Sequence, residues 1–379
     1  MQKAYELIKK YGMLMAEQEY SVGDAKLFIE TETGVYSTKP GTDFADINES
    51  DIQKEEMAKL PMSDKGLKAM VYSQTPYCME CLKVGRNFKP SVDDMAQIIG
   101  PETASFEKAG YVITRGRTLF EAITAMTVLE KSAEITVLAD RIGGAKPLNS
   151  LEAKLMRFVY KKKYSKSEAT AKADEMSGDK AEDTLPVRVA ADPREQYLRE
   201  MLVDYGKKLV QTGLVQGTWG NLSVRLDDTY MIVTPSGLDY MRLTPADMVK
   251  VNIESLEYEG DLKPTSEKGL HAEVYKMRPD IGSVIHTHSK FCSVFAASER
   301  DMPITLEGAK EVFGEKVKLA GYALPGTKKL MKNTSLALGD NFGAIMSHHG
   351  MLAAGADIET AFANCHLLEE NGKSYLGVK

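Results

Sequence analysis

Three of the six histidines in this chain have the spacing of ligands to one metal ion. His286 and His288 end an apolar run, residues 284–288, and His349 follows a second apolar run, residues 344–346. Side chains at positions i and i+2 of a β-strand point to the same side, so the first two can reach a common ion. Two such ligands and a distant third are typical of a catalytic zinc site that keeps one coordination position open.

Ordinary core or surface histidines are the alternative interpretation. Their distribution argues against it, because all six histidines lie at or after His271. The sequence therefore predicts one metal site, in the second half of the chain, with His286, His288 and His349 as its ligands.

Polar turns that could bind a phosphate precede these histidines, at residues 217–223, 234–237 and 263–267. They offer backbone N–H, amide and hydroxyl donors, and the last of them opens a helix. Each turn alone is more often only a turn or a helix cap. Their joint presence beside a metal site favours a phosphate-binding role.

The elements that must position these residues follow from the apolar spacing. Strands are predicted at residues 222–226 and 230–233, and a helix follows residues 263–267, with Leu270, Val274 and Met277 on one face and Pro279 at its end. Amphipathic helices are also predicted around residues 7–15 and 197–209.

The chain is long enough for two domains. It has 379 residues, of which 43% are hydrophobic and 27% are charged, with a formal net charge of −6. This acidic balance gives no general attraction for nucleic acid or an anionic membrane, so neither is an expected partner. A polar, charged passage, residues 161–185, is the best boundary between the domains.

The sequence favours a cytoplasmic location. Its first residues lack the basic and apolar regions of a secretion signal, and no apolar run approaches the ~18 residues that span a bilayer. Four cysteines are too few for a disulfide framework in a chain of this size. Cys78 and Cys81 have metal or redox spacing, but we expect two packing residues because no second pair accompanies them.

The two halves of the chain correspond in several places, which predicts a tandem duplication. Residues 44–52 match 240–248, residues 70–78 match 284–292, and residues 116–130 match 355–369. In this alignment Tyr72 and Gln74 stand where the second half has His286 and His288, and Gly110 stands near the position of His349. The first copy is thus expected to be degenerate, without metal ligands.

From about residue 190 the chain resembles the class II aldolase/adducin family, of the fuculose-phosphate aldolase type. The motifs that carry the resemblance are Gly220-Asn221-Leu222-Ser223, Pro235-Ser236-Gly237, Thr265-Ser266-Glu267, His286-Thr287-His288 and His348-His349-Gly350. The resemblance implies a three-layer α/β fold with a mixed, largely antiparallel central sheet in each of two tandem copies. The expected domains are a degenerate copy (1–160), a linker or solvated helix (161–189) and a catalytic copy (190–379).

The resemblance also implies a role for each matching residue. His286, His288 and His349 would hold one Zn²⁺, and Glu267 would be the catalytic acid/base. His271 and His366 match no catalytic position and are expected to be packing or surface residues. The phosphate-binding positions are Asn221, Ser236, Gly237, Thr265 and Ser266.

The expected activity is a zinc-dependent, reversible aldol cleavage. A phosphorylated ketose similar to L-fuculose 1-phosphate would give dihydroxyacetone phosphate and an aldehyde. A pentulose-phosphate 4-epimerase and a methylthioribulose-phosphate dehydratase are alternatives within the family, although the epimerases usually have an aspartate where this chain has Glu267. A non-catalytic, adducin-like scaffold is a third alternative.

Two expectations concern assembly and the aldehyde side of the site. Family members are commonly homo-oligomers, and the first copy is expected to contribute to assembly. Family aldolases use a tyrosine near the C-terminus to protonate the leaving group, whereas this sequence stops at Lys379 and has Glu307 at a second aromatic position. The proton donor on the aldehyde side is therefore left open.

Overall fold

The computed structural model describes residues 2–62, 66–85, 89–100, 102–107, 110–164, 192–216 and 219–378. They belong to two compact units, Met1–Val137 with Asn149–Arg157 and Leu138–Leu148 with Phe158–Lys379. The domain limits expected from the sequence stay predictions. The predicted linker, 161–189, lies outside the described residues except for 161–164, which end a helix.

The N-terminal half contains one sheet and five described helices. The helices are α1 (Gln2–Glu17), α2 (Pro76–Lys83), α3 (Asp93–Ile98), α4 (Leu119–Ala139) and α5 (Ser150–Tyr164). The strands are β1 (Lys26–Thr31), β2 (Gly34–Thr38), β3 (Ile52–Lys54), β4 (Ala69–Ser73), β5 (Ala104–Glu107) and β6 (Tyr111–Gly116). Short 3₁₀ helices lie at Glu49–Asp51 and Asp140–Ile142. The sheet order is β3-β2-β1-β4-β6-β5, with every pair antiparallel.

Apolar residues cover both faces of this first sheet. The amphipathic helix α1 buries Ile8 and Met15 and packs against β1 and β2. A separate cluster contains Met70 and Ile113 of the sheet together with Leu60 from the segment between β3 and β4. The sheet therefore has a helix on one face and, on the other, irregular chain.

The C-terminal half contributes six described helices and a larger sheet. The helices are α6 (Pro193–Gln211), α7 (Lys268–Met277), α8 (Lys290–Ser298), α9 (Glu307–Phe313), α10 (Lys328–Leu338) and α11 (Ile358–Tyr375). The strands are β7 (Gly220–Arg225), β8 (Tyr230–Val233), β9 (Val249–Asn252), β10 (Ser283–Thr287), β11 (Met302–Pro303), β12 (Lys316–Val317), β13 (Leu319–Ala320), β14 (Gly343–Met346) and β15 (Gly350–Gly355). Short 3₁₀ helices lie at Tyr240–Arg242 and Pro245–Asp247. None of the helices in the described parts of the chain combines the length and apolar character needed to cross a bilayer.

The second unit has the three-layer α/β architecture expected from the sequence. Its main sheet has the order β13-β14-β15-β10-β7-β8-β9, in which β13 and β14 are parallel and the other pairs are antiparallel. Helices α7 and α10 share an apolar core with one face of the sheet, including Leu270, Val284 and Leu330. Helices α6, α8 and α11 contact β7, β15 and β10. The mixed, largely antiparallel sheet is thus confirmed.

The two sheets share one strand order. If β1–β4 are matched with β7–β10, β6 with β15 and β5 with β14, the order of the first sheet becomes that of the second without its edge strand β13. This agreement supports the predicted tandem duplication, which stays a prediction.

A buried glutamate holds the start of one helix in each unit. In the second unit, Glu369 accepts hydrogen bonds from the N–H groups of Phe291 (2.7 Å) and Cys292 (2.9 Å) in α8 and from the hydroxyl of Ser289 (2.8 Å). In the first unit, Glu130 accepts bonds from the N–H groups of Tyr77 and Cys78 in α2. A carboxylate at a helix N-terminus satisfies donors that have no partner within the helix.

We expect Glu369→Gln to lower the free energy of unfolding by about 2 kcal/mol, because its amide NH₂ would face N–H donors in a buried position. Glu370→Gln is the matched control, since Glu370 is the exposed neighbour in the same helix. Its effect should stay within about 0.5 kcal/mol. Urea unfolding followed by circular dichroism measures both, and equal stabilities of the two variants would contradict the helix-capping role.

Candidate metal centre

The ends of two neighbouring strands bring the three predicted histidines together. His286 lies in β10, His288 follows the last residue of that strand, and His349 directly precedes β15, which pairs with β10. The ring centroids are 4.6 to 4.9 Å apart. One ligand nitrogen from each ring lies within 4.8 Å of the others, and all three side chains are buried.

A tight turn between β14 and β15 places His349 beside β10. His348 adopts a left-handed conformation (φ 58°), and the N–H of His349 donates to the carbonyl of Met346 (2.9 Å). Gly350 has φ +151°, and a Cβ there would lie 2.3 Å from the carbonyl oxygen of Thr287. The glycine that follows the two histidines is thus required for the close approach of the strands.

The hydrogen bonding of His286 fits a metal ligand. Its Nδ1 lies 2.8 Å from the carbonyl oxygen of Met351, which fixes the proton on that nitrogen. Burial lowers the pKa of His286 well below its ordinary value, so the ring is neutral. Its buried Nε2 has no hydrogen-bond partner among the described residues and lies 3.4 Å from Oε2 of Glu267. A buried lone pair beside two other imidazoles is a suitable donor for Zn²⁺ or a similar ion.

Glu267, at the start of α7, faces the same cluster. Its Oε1 lies 2.7 Å from Nε2 of His349, and its Oε2 accepts a hydrogen bond from Nδ2 of Asn221 at 2.9 Å. Burial opposes ionisation of this carboxyl. The neighbouring His286 and His349 rings and these hydrogen bonds nevertheless hold the pKa of Glu267 well below its usual range. The side chain is therefore an ionised acceptor next to the place where a metal would be held.

The predicted phosphate-binding residues lie on turns that are hydrogen-bonded to one another. The N–H of Ser236 donates to the carbonyl of Lys263 (2.9 Å), and the N–H of Thr265 donates to the carbonyl of Thr234 (3.0 Å). Thr265 Oγ1 also accepts the N–H of Glu267 at 3.2 Å. The turns at 234–237 and 263–266 therefore adjoin the carboxylate.

Exposure differs among these phosphate-site candidates. Asn221 and Thr265 are buried, Ser236 and Gly237 are partly buried, and Ser266 is exposed. Gly237 has φ 77°, a conformation that side chains other than glycine rarely adopt. Ser236 and Ser266 carry hydroxyl groups on partly or fully exposed side chains beside the histidine cluster, and a hydroxyl can donate a hydrogen bond to a phosphate group.

Other histidines occupy different surroundings. His366 is exposed on α11, as expected, and His348 has its Nε2 3.4 Å from Oε1 of Glu299. His271 is fully buried directly behind the site, between Asn221 and Ser223. Sequence reasoning assigned it no function. The available signal was the polar stripe Glu267, His271 and Tyr275, at positions i, i+4 and i+8 of one helix.

The corresponding positions of the first unit contain a different set of contacts. Tyr72 lies in β4 with its ring 5.3 Å from that of Phe28. Gln74 donates from Nε2 to the carbonyl of Gly110 (3.2 Å). An aromatic contact and an amide–backbone bond thus stand at the positions aligned with His286 and His288.

Known proteins match the second half of the chain. The family described as Class II Aldolase and Adducin N-terminal domain matches residues 200–376. A 5-methylthioribulose-1-phosphate/5-deoxyribulose-1-phosphate aldolase of Rhodospirillum rubrum is 35% identical over 178 residues, which cover 47% of this chain and 80% of the relative. An L-fuculose phosphate aldolase of Escherichia coli (strain K12) is 32% identical over 179 residues, 47% of this chain and 82% of the relative.

A solved structure of an L-fuculose 1-phosphate aldolase shares 34% identity with this chain, with a TM-score of 0.45, over 47% of this chain and 84% of that one. The matched family segment contains the three clustered histidines and Glu267. The family match and the relative of Rhodospirillum rubrum show that the chain belongs to the class II aldolase/adducin family and is a metal-dependent aldolase.

Proposed function

We propose that the second unit is a zinc-dependent aldolase that reversibly cleaves a phosphorylated ketose to dihydroxyacetone phosphate and an aldehyde. The observation that supports this proposal most directly is the buried group of His286, His288, His349 and Glu267 beside the hydrogen-bonded turns at 234–237 and 263–266.

His286, His288 and His349 would hold the ion. Three imidazoles favour a borderline ion such as Zn²⁺ and leave one coordination position for substrate. When bound, such an ion acts as a Lewis acid that polarises the substrate carbonyl. The protein's own contribution is the neutral state of His286, which burial favours, and its fixed tautomer, which the bond to Met351 imposes.

Glu267 would take and return a proton at the carbon next to the substrate carbonyl. Its ionised carboxylate is buried and has hydrogen-bond partners at both oxygens. A base in this environment exchanges protons with a bound substrate rather than with bulk water. It lies at the start of α7, and its N–H donates to Thr265 Oγ1, which supports a role between the histidines and the turns proposed to bind phosphate.

Asn221, Ser236, Gly237, Thr265 and Ser266 would bind the substrate phosphate. A phosphate fixed on the two turns holds one end of the substrate, so its reacting carbons stay near the histidines and Glu267. The relatives are named for aldol cleavage of 5-deoxyribulose 1-phosphate, 5-methylthioribulose 1-phosphate and fuculose phosphate. A ketose with a terminal phosphate is common to those names, and we propose this substrate class here.

The wider setting is also part of the proposal. We propose a cytoplasmic homo-oligomer, in which the first unit serves assembly and binds no metal. The four cysteines, all among the described residues, are buried and form no disulfide, as a reducing compartment permits.

Metal analysis of the purified protein tests the histidine cluster. We expect about one zinc ion per chain in the unmodified protein and a loss of at least tenfold in zinc affinity in His286→Ala, since one of three ligands is removed. His366→Ala is the matched control because His366 is exposed on α11, and its zinc content should be unchanged. Equal zinc affinity in both variants would exclude His286 as a ligand.

Glu267→Gln tests the acid/base role without changing the size of the side chain. We expect kcat to fall by a factor of about 100 to 10,000, since proton transfer at carbon is lost, while zinc stays bound. Release of dihydroxyacetone phosphate from 5-deoxyribulose, fuculose and rhamnulose 1-phosphates is the assay. A zinc-loaded wild-type protein that releases none from any of them refutes the proposed cleavage. A product lighter than the substrate by one water would then identify dehydration, whereas an epimer keeps the mass of the substrate.

A further inference from the structure

A chain of buried hydrogen bonds runs behind the proposed site from helix α7 to strand β7. Tyr275 Oη lies 2.7 Å from Ser223 Oγ, which lies 2.6 Å from Nδ1 of His271. Nε2 of His271 lies 2.5 Å from Oδ1 of Asn221. Nδ2 of Asn221 then donates to Glu267 at 2.9 Å. His271 and Ser223 are fully buried.

The periodicities of the two elements produce this arrangement. Glu267, His271 and Tyr275 are four residues apart, so each step along α7 advances about 6 Å. Asn221 and Ser223 are two residues apart in β7, a step of about 6.7 Å on one face of the sheet. The polar stripe of the helix therefore stays in register with the polar positions of the strand. The hydrogen-bond chain therefore depends on the polar residues of both α7 and β7.

Donor and acceptor roles along the chain have one consistent direction. Burial lowers the pKa of His271 to about 4, so its ring is neutral and carries a single N–H. With Ser223 donating to Nδ1, that N–H is at Nε2 and faces Asn221. Asn221 must then present its carbonyl oxygen to His271 and its NH₂ to the carboxylate of Glu267. The reversed amide would place two donors together and two acceptors together, each a costly buried contact.

We propose that His271 is a positioning residue of this site, which fixes the orientation of the Asn221 amide and thereby that of the Glu267 carboxylate. Asn221 Nδ2 has two hydrogens: one bonds Glu267, and the second is left for an oxygen of the substrate phosphate. The role rests on the proposed function, since it concerns the acid/base and the phosphate-binding amide assigned there. His271 itself touches neither the substrate nor the ion.

Two conservative substitutions separate this role from simple packing. In His271→Gln the side-chain amide can place an N–H near the position of Nε2, so the bond to Asn221 is kept. In His271→Asn the amide reaches only the position of Nδ1, so the bond to Ser223 is kept and that to Asn221 is lost. Both remove the ring, and Asn is one methylene shorter than Gln, so packing alone predicts a greater loss of stability in His271→Asn. It predicts no selective loss of kcat in a variant that stays folded and zinc-loaded.

Kinetics of the zinc-loaded full chain with the ketose phosphates is the first measurement. We expect His271→Asn to lower kcat by about 10- to 100-fold with zinc content unchanged, and His271→Gln to retain kcat within about threefold. Equal kcat values for the two variants, high or low, would overturn the positioning role.

If His271→Asn does not fold, Ser223→Ala provides the comparison. It removes the hydroxyl that fixes the ring and leaves His271 in place. We expect kcat to fall by about three- to tenfold with zinc content unchanged. An unchanged kcat would overturn the proposal.

Nuclear magnetic resonance of the ¹⁵N-labelled protein gives a test that needs no activity. The side-chain NH₂ signals of Asn221 can be identified by their loss in Asn221→Asp. We expect them to shift in His271→Asn and to remain near their original positions in His271→Gln. The same pattern in wild type and both variants would overturn the role of His271. Failure of the zinc-loaded wild type to cleave any ketose phosphate would instead refute the proposed function.

Discussion

Burial of polar groups is the constraint on which the second unit depends. Three imidazoles, a carboxylate and an amide lie together at the ends of β7 and β10, almost out of contact with water. Each such group is destabilising unless it has a partner of complementary donor or acceptor character. Met351 provides a partner for His286, and Asn221 provides one for Glu267. Nε2 of His286 is buried without a hydrogen-bond partner among the described residues, and this nitrogen is therefore suited to bind an ion.

The sheet itself does not depend on this cluster. The first unit has the same strand order, and Glu130 holds the start of α2 as Glu369 holds that of α8. Between β3 and β4, however, the described residues 55–62 and 66–68 contain no helix, whereas α7 lies between β9 and β10. The described residues between β3 and β4 thus contain no counterpart of the element that carries Glu267 and His271. The framework and the site are separable parts of this fold.

Local periodicity made the histidine pair predictable. Residues whose roles depend on contacts distant in sequence could not be predicted in this way. The i, i+2 rule for strands placed His286 and His288 together, and the mixed sheet followed from the family motifs. The role of Gly350 could not be inferred, because it depends on the backbone of Thr287 in another strand. His271 was missed for a similar reason: its partner Asn221 is 50 residues away, and a single-face pattern of Leu270 and Val274 accounted for the helix. A polar residue at a predicted core position indicates a role in the site only when the residue that it hydrogen-bonds is also known.

Comparison of the two units indicates that a buried histidine stabilises the sheet less than the residue at the aligned position of the first unit. At the aligned position of β4, Tyr72 packs its ring against Phe28, a contact that stabilises a sheet without further help. At the position in β10, His286 is kept neutral by burial and leaves a ring nitrogen without a hydrogen bond among the described residues. The fold can therefore be built with a more favourable residue there. Packing alone therefore does not account for an imidazole at this position, whereas a bound ion would turn its unsatisfied nitrogen into a stabilising contact.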